Sequence, residues 1–508
     1  MELKSLNYVV FAAIVILAYY ILYKVKYSQR IVLLTANVVF ILSISDFRSF
    51  VLIFILAAVS FGNGILIENR LNKGEKARAH ALLYCGIAFS IIALCYFKFF
   101  KESFTIIQNC FSNYGITLSD IVSPIGISYY TLTMIAYMYD IFHGKHKAER
   151  NFLDYFVFIT FFPSIIQGPI NLYKKTAFQF KETHAPKEDT IVKGIQRVIW
   201  GYFKKVVIAD RIGILVTGIL QFEYSTGFVI FWAMVLYSFQ IYADFSGGID
   251  VIMGISEALD IKLTENFKSP LVSKSVTEYW QRWHMSLGEF MEKYLYYPIV
   301  LNRRIMRLSK KIHWKYLQKV FSATLASIIV FVIVGIWHGT GWNYVVYGCY
   351  QAFFVSTAVL LGPVYKKIRD FLRLSEESIS WRVFQIIRTF IILTFGRFFI
   401  RAKDLTQAFE LIGKMFERVR WSDVHILFDD TLTHFELDSK NISLMYIGIL
   451  LLIIVDVMHE RKIKIRELFM KQDVVFRFAI YFVAIFSIII LGIYGPEFVG
   501  SSFIYQNF

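Results

Sequence analysis

Gly335-Ile336-Trp337-His338-Gly339-Thr340-Gly341-Trp342-Asn343 separates two apolar runs, one from about Phe321 to Val334 and the other from Tyr344 to Leu361. Three glycines in seven residues weaken a helix by roughly 1 kcal/mol each, so the stretch predicts a break within membrane-spanning sequence. In hydrocarbon an irregular backbone is tolerated only where protein buries it or where it lines a wet cavity. His338 is therefore expected to face a cavity. An ionisable side chain at that depth is costly, which makes His338 a candidate functional residue.

The apolar pattern on either side of this stretch recurs along the whole chain. Of its 508 residues 56% are hydrophobic, more than the usual content of soluble domains. Runs of spanning length lie at roughly 7–23, 31–44, 49–67, 79–97, 123–142, 152–170, 194–220, 227–243, 320–336, 343–363, 383–400, 444–458 and 475–494. They predict an all-α polytopic membrane protein with about eleven transmembrane helices, the short or Gly-broken runs being re-entrant or interfacial. The run Asn7 to Tyr23 has no small-residue cleavage site after it and reads as an anchor.

A formal net charge of +16 raises the question of nucleic acid, but the placement of the charges excludes it. Lys24, Lys26 and Arg30, then Arg70, Lys73, Lys76 and Arg78, then Lys145, Lys147 and Arg150 follow alternate runs. That is the positive-inside pattern, with both termini outside and loops 366–382 and 459–473 inside. Residues 262–319 form the longest stretch without a clear span, with twelve Lys/Arg against four acids. This basic cytoplasmic segment suits anionic lipid, or a phosphate-rich cytosolic donor. It contains Trp283-His284, a second histidine among aromatics. Hydropathy puts His284 on the cytoplasmic side and His338 toward the outer half, as if a tunnel joined them.

Other features read more simply. Pro124-Ile125-Gly126 and Phe162-Pro163…Gly168-Pro169 are breaks of the kind that wall cavities. Lys204, Lys205, Asp210 and Asp244 interrupt apolar runs and must find partners there. Gly62-Asn63-Gly64 reads as a helix-packing site, and His143 and His146 as part of a solvated loop. Cys85, Cys95 and Cys349 read as small buried residues, and Cys110 stands alone in an outer loop. No metal-ligand spacing is visible.

Trp283-His284-Met285-Ser286-Leu287, followed some fifty residues later by Trp337-His338-Gly339, resembles the membrane-bound O-acyltransferases (MBOAT) in their bacterial branch of alginate acetylation and D-alanine export. Pro124-Ile-Gly-Ile-Ser-Tyr, Phe162-Pro163…Gly168-Pro169, Phe203-Lys204-Lys205…Asp210, Asp244-Phe245-Ser246-Gly247, Asn266-Phe267…Pro270 and Arg401-Ala402 stand in the family's order. Where many relatives have Arg-Asp-Tyr, this chain has Glu292-Lys293-Tyr294. The resemblance implies one MBOAT membrane domain over 1–508: N-terminal helices to about 120, a tunnel core over 121–363, and C-terminal helices with an extracellular tail over 364–508. It implies His338 as the essential histidine and His284 as the second signature position. Trp283, Trp337, Asn343, Asp244 and Ser246 are candidates for the tunnel lining. No bound cofactor or metal is implied; acetyl-CoA, or an acyl carrier protein, is the donor. A hydroxyl acceptor needs a base near neutral pH, which suits histidine.

The ending Phe503-Ile504-Tyr505-Gln506-Asn507-Phe508 resembles aromatic tails of some relatives. It implies a relay in which Tyr505 carries the acyl group to an extracellular SGNH-type acetyltransferase partner and on to an exported polysaccharide. The expected location is the bacterial inner membrane. The length of chain beyond His338 favours acetyl over D-alanyl transfer. A transporter or flippase is the reading from another class, and the inverted repeats it would need are not visible.

Overall fold

The computed structural model describes residues 2–112, 124–222, 225–417, 432 and 437–494, with side chains unassigned over 99–112. Tyr505 with the rest of the tail, and the Cys110 side chain, lie outside the described residues. The described chain is helical, and its one antiparallel bridge pairs Phe267 with Trp283. By length and apolarity seven of its helices can cross a membrane, and an eighth span results if a pair bent by 64° at Leu361 counts as one. The expected count was about eleven. The difference lies in runs that fold as shorter pieces: helices of 16 and 17 residues near the N-terminus, a 9-residue helix over 152–160, and three segments over 188–221. Cys85, Cys95 and Cys349 are exposed, contrary to expectation. A cysteine is apolar enough to face lipid as readily as core.

The chain divides into two compact units. The first takes residues 1–198 and 249–264 and contains α1 (Leu6–Ile21), α2 (Ser28–Ile44), α3 (Phe47–Asn72), α4 (Lys76–Ser112), α5 (Ile127–Phe142) and α6 (Phe152–Thr160). Pro163 cannot continue α6. The chain beyond it is held by buried Asn37, whose Nδ2 donates to Val157 O and Thr160 Oγ1 and whose Oδ1 accepts from Phe162 N at 2.8 Å. The two expected breaks pack into each other. Gly126 has φ +75°, and a Cβ there would stand 1.9 Å from Ile165 O. A Cβ on Gly64 would stand 2.7 Å from the Tyr137 ring, so that glycine does serve helix packing. His146, expected in water, instead lies half-buried against the Tyr137 and Tyr173 rings.

The second unit takes residues 199–248 and the described part of 265–504. Here lie α7 (Asp210–Gln221), most of α8 (Gly227–Ala258), α9 (Val276–Arg282) and α10 (Met285–Met291). They are followed by α11 (Lys315–His338), α12 (Trp342–Leu360), α13 (Gly362–Phe371), α14 (Ile379–Arg401), α15 (Leu405–Glu417), α16 (Ser439–Glu460) and α17 (Val474–Leu491). A π-helical turn, Phe203–Ala209, precedes α7. Close packing of α11 on α12 depends on facing glycines. A Cβ on Gly348 would lie 2.5 Å from Phe331 O, and one on Gly335 would lie 2.4 Å from Tyr344 O. Lys293, where this chain departs from the Arg-Asp-Tyr of many relatives, bonds Glu289 one turn back at 2.5 Å.

A candidate acyl-transfer site with two buried histidines

His338 is the last residue of α11 and is 3% exposed. The helix stops there because Gly339 turns extended, and a side chain at Gly339 would meet the Tyr344 ring 2.2 Å away. Asn343, in the first turn of α12, is fully buried, and its Nδ2 donates to Phe399 O at 2.9 Å and Ala402 O at 3.2 Å. These bonds satisfy carbonyls at the C-terminal end of α14, where a helix leaves acceptors without intrahelical donors. They also fix the turn that carries His338. The predicted break is thus a tight, braced reversal.

His284 lies between α9 and α10 in a left-handed conformation, φ 49° and ψ 51°, uncommon for a residue with a side chain. Asn266 holds it there. The Asn266 carbonyl accepts from Met285 N at 2.9 Å, and its Oδ1 accepts from Ser286 N at 3.0 Å and Ser286 Oγ at 2.8 Å. The Ser286 amide can only donate, so the Asn266 atom facing it must be oxygen. His284 Nδ1 reaches that same oxygen at 3.2 Å and must carry the proton. The neutral ring therefore keeps its lone pair on Nε2. Burial, and then the charge of nearby His338, hold the His284 pKa well below the ordinary histidine value.

Aromatic rings join the two histidines. Phe245 meets the His284 ring at 4.9 Å, and Trp337 lies 6.0 Å from His284 and 5.1 Å from His338. Tyr347 lies 6.4 Å beyond His338. Trp283 stacks on Tyr279 at 5.4 Å and packs against Phe245 and Phe267. The separation inferred from hydropathy is not found. His284 sits beside the end of α11 that carries His338, because residues 266–291 fold inward, with Asn266, Trp283, His284 and Ser286 all buried. The exposed cations of the basic segment cluster later, at Arg303, Arg304, Arg307, Lys310 and Lys311.

Asp244 and Ser246 flank Phe245 and bind lysines. Lys205 Nζ lies 2.5 Å from Asp244 Oδ1 and 2.9 Å from Asp210 Oδ1, and Lys204 Nζ lies 2.8 Å from Ser246 Oγ. All five side chains are buried. The partners expected for the intramembrane charges are thus one another, and they brace the helix that presents Phe245 to His284. Two supporting residues are hard to single out from sequence. Asn266 stands there only as part of a motif, and Asp456, 4% exposed on α16, accepts from Tyr242 OH at 2.8 Å. The signal for Asp456 was present as a lone acid in an apolar run. Among the described residues no group of three His, Cys, Asp or Glu side chains could hold a metal ion.

The model of the MBOAT, membrane-bound O-acyltransferase family, matches residues 143–399, about half the chain and including both histidines. The chain belongs to that family. It is 28% identical to a probable alginate O-acetylase of Pseudomonas putida, over 68% of this chain and 66% of that protein. It is 30% identical to a peptidoglycan O-acetyltransferase of Helicobacter pylori, over 66% and 64% respectively. With a teichoic acid D-alanyltransferase of Bacillus subtilis it shares 27% identity over 56% of this chain and 70% of that one. The chain thus spans just under two thirds of the length of the two acetyl-transferring relatives.

Proposed function

We propose that this family member is an O-acetyltransferase. It takes acetyl from cytosolic acetyl-CoA and passes it across the bacterial inner membrane toward an exported or cell-wall polysaccharide. The observation that carries the reading is the pair of buried imidazoles joined through Trp337, with the proton of one assigned. In this mechanism His338 is the base. It takes the proton of the acceptor hydroxyl as the oxygen bonds to the acetyl carbonyl carbon. The C–S bond then breaks, and the thiolate of CoA leaves and takes up the proton. His338 suits this role because it ends a helix, where the backbone partial charge is negative and favours the transient imidazolium. His284 resists that charge, and its Nε2 lone pair is suited to accept the acceptor's hydrogen bond and orient it.

The first acceptor is Tyr505 of the aromatic tail, on the outer side, and an extracellular SGNH-type partner then takes the acetyl group to the polymer. Similarity to acetyl-transferring relatives supports the acetyl donor, and the exposed cations around Arg303–Lys311 are suited to its phosphates. The test supplies purified protein in nanodiscs with radiolabelled acetyl-CoA. Label on wild type, absent from His338→Ala and Tyr505→Phe, is expected. Label that persists on Tyr505→Phe refutes the relay. Transfer from a D-alanyl carrier protein with none from acetyl-CoA replaces the donor.

A further inference from the structure

Arg397 and Arg401 stand one turn apart on α14. Arg397 is 3% exposed, and its Nη1 is buried with no hydrogen-bond partner. Its Nη2 reaches only Tyr279 OH, at 3.4 Å, and its guanidinium lies 5.9 Å from the Tyr279 ring centre. Arg401 donates to Thr217 Oγ1 at 3.0 Å and lies 6.0 Å from the Tyr237 ring centre. Among the described residues neither guanidinium has a carboxylate within 4.0 Å. Asp404, the nearest acid in sequence, accepts from Gln407 N instead. Burying a cation without an anion is costly, and an arginine so placed is short of one partner.

One arginine of the pair borders a cavity that offers it an entrance. Arg401 lines a cavity of about 210 Å³ with Lys403, Gln221 and Gln407, so cations continue from the cavity toward buried Arg397. This entrance lies near the histidine end of the unit. Tyr279, which touches Arg397, stacks on Trp283 next to His284, and Asn343, five residues after His338, binds the carbonyls of Phe399 and Ala402 between and beside the arginines. The exposed cations suited to donor phosphates lie at the other end of α11, whose 24 residues span about 36 Å.

We propose that Arg397 and Arg401 form an anion subsite for a carboxylate of the polysaccharide that finally receives the acetyl group, holding that polymer at this protein while Tyr505 takes the group first. This rests on the acyl-transfer reading above and adds the charge of the final acceptor to it. The planar fork of each guanidinium matches a carboxylate through two parallel hydrogen bonds.

The test uses full-length protein in nanodiscs and two probes that differ only in the anion, methyl glucuronide and methyl glucoside, with CoA as a phosphate probe. The glucuronide is expected to raise the melting temperature and the glucoside to leave it unchanged. In Arg397→Gln and Arg401→Gln the glucuronide should bind about tenfold or more weakly, with CoA affinity unaltered and Arg397→Lys intermediate. Arg401 is partly exposed, so Arg401→Gln carries the test if Arg397→Gln does not fold. Equal effects of the two sugars, or wild-type glucuronide binding in Arg401→Gln, overturn the proposal. So does a loss of CoA affinity instead, which would assign the arginines to the donor. CoA release from acetyl-CoA is measured in parallel; its absence, with arginine-dependent glucuronide binding intact, rejects acyl transfer and leaves the subsite standing.

Discussion

Replacing Lys205 by methionine tests whether the buried charges brace the site. Lys205 is fully buried and bonds Asp244 and Asp210, whose side chains are 2% and 5% exposed. Methionine keeps the chain's apolar length but leaves two carboxylates without their shared cation. Removing one partner of a buried ion pair costs about 3–5 kcal/mol, a large share of the roughly 5–15 kcal/mol by which a typical domain is stable. The assay is the loss of folded protein in detergent as denaturant is titrated, read by intrinsic fluorescence. The comparison is the neutral triple variant Lys205→Met, Asp210→Asn, Asp244→Asn. It removes the stranded charges as well, and is expected to recover most of the loss, since a buried ion pair is often replaceable by neutral groups of similar size. A single variant within about 1 kcal/mol of wild type, or a triple variant no better than the single, would refute the argument that pairing of these charges holds this part of the fold.

Three further outcomes follow from the same geometry. A histidine whose folded pKa lies below its unfolded value of about 6.5 binds fewer protons when folded, so stability falls as pH drops below that value. For His284 the slope reaches at most about 1.4 kcal/mol per pH unit, and melting curves from pH 7 to 5 should lose it in His284→Asn. That variant tolerates the left-handed backbone and keeps a donor toward Asn266 Oδ1; a slope unchanged from wild type would contradict the assignment. Gly348→Ala places a Cβ against Phe331 O and should cost about 1–3 kcal/mol, whereas the same change at Gly62, where nothing lies within 4 Å, should be tolerated; equal melting temperatures for the two would discount the close approach. Asn343→Ala deprives the Phe399 and Ala402 carbonyls of donors at about 1–3 kcal/mol, and Asn343→Asp, which sets a carboxylate against both, should melt lower still.

The histidine pair, its glycine-rich turn and the inward pairing of Lys205 were legible because each breaks a local rule: charge or glycine within an apolar run. The depth of His284 was not. Hydropathy averages over a window, and residues 266–291 carry Lys268, Lys274 and Arg282, so the average describes a surface segment. The structure separates what the average mixes. Lys268 is exposed and Arg282 is tied to Glu278 and Glu460, while Asn266, Trp283, His284 and Ser286 turn inward. What folds the segment this way is the Asn266 side chain and backbone, which together bind residues 284–286. A lone asparagine leaves no periodic mark in a sequence. The same physics limited the count of spans, since hydropathy cannot distinguish an apolar run that crosses a membrane from one that is buried in protein as a short helix. The position of His284 beside His338 therefore depends in part on the Asn266 side-chain amide, and replacing Asn266 should lower acyl transfer even though Asn266 need never touch the acyl group.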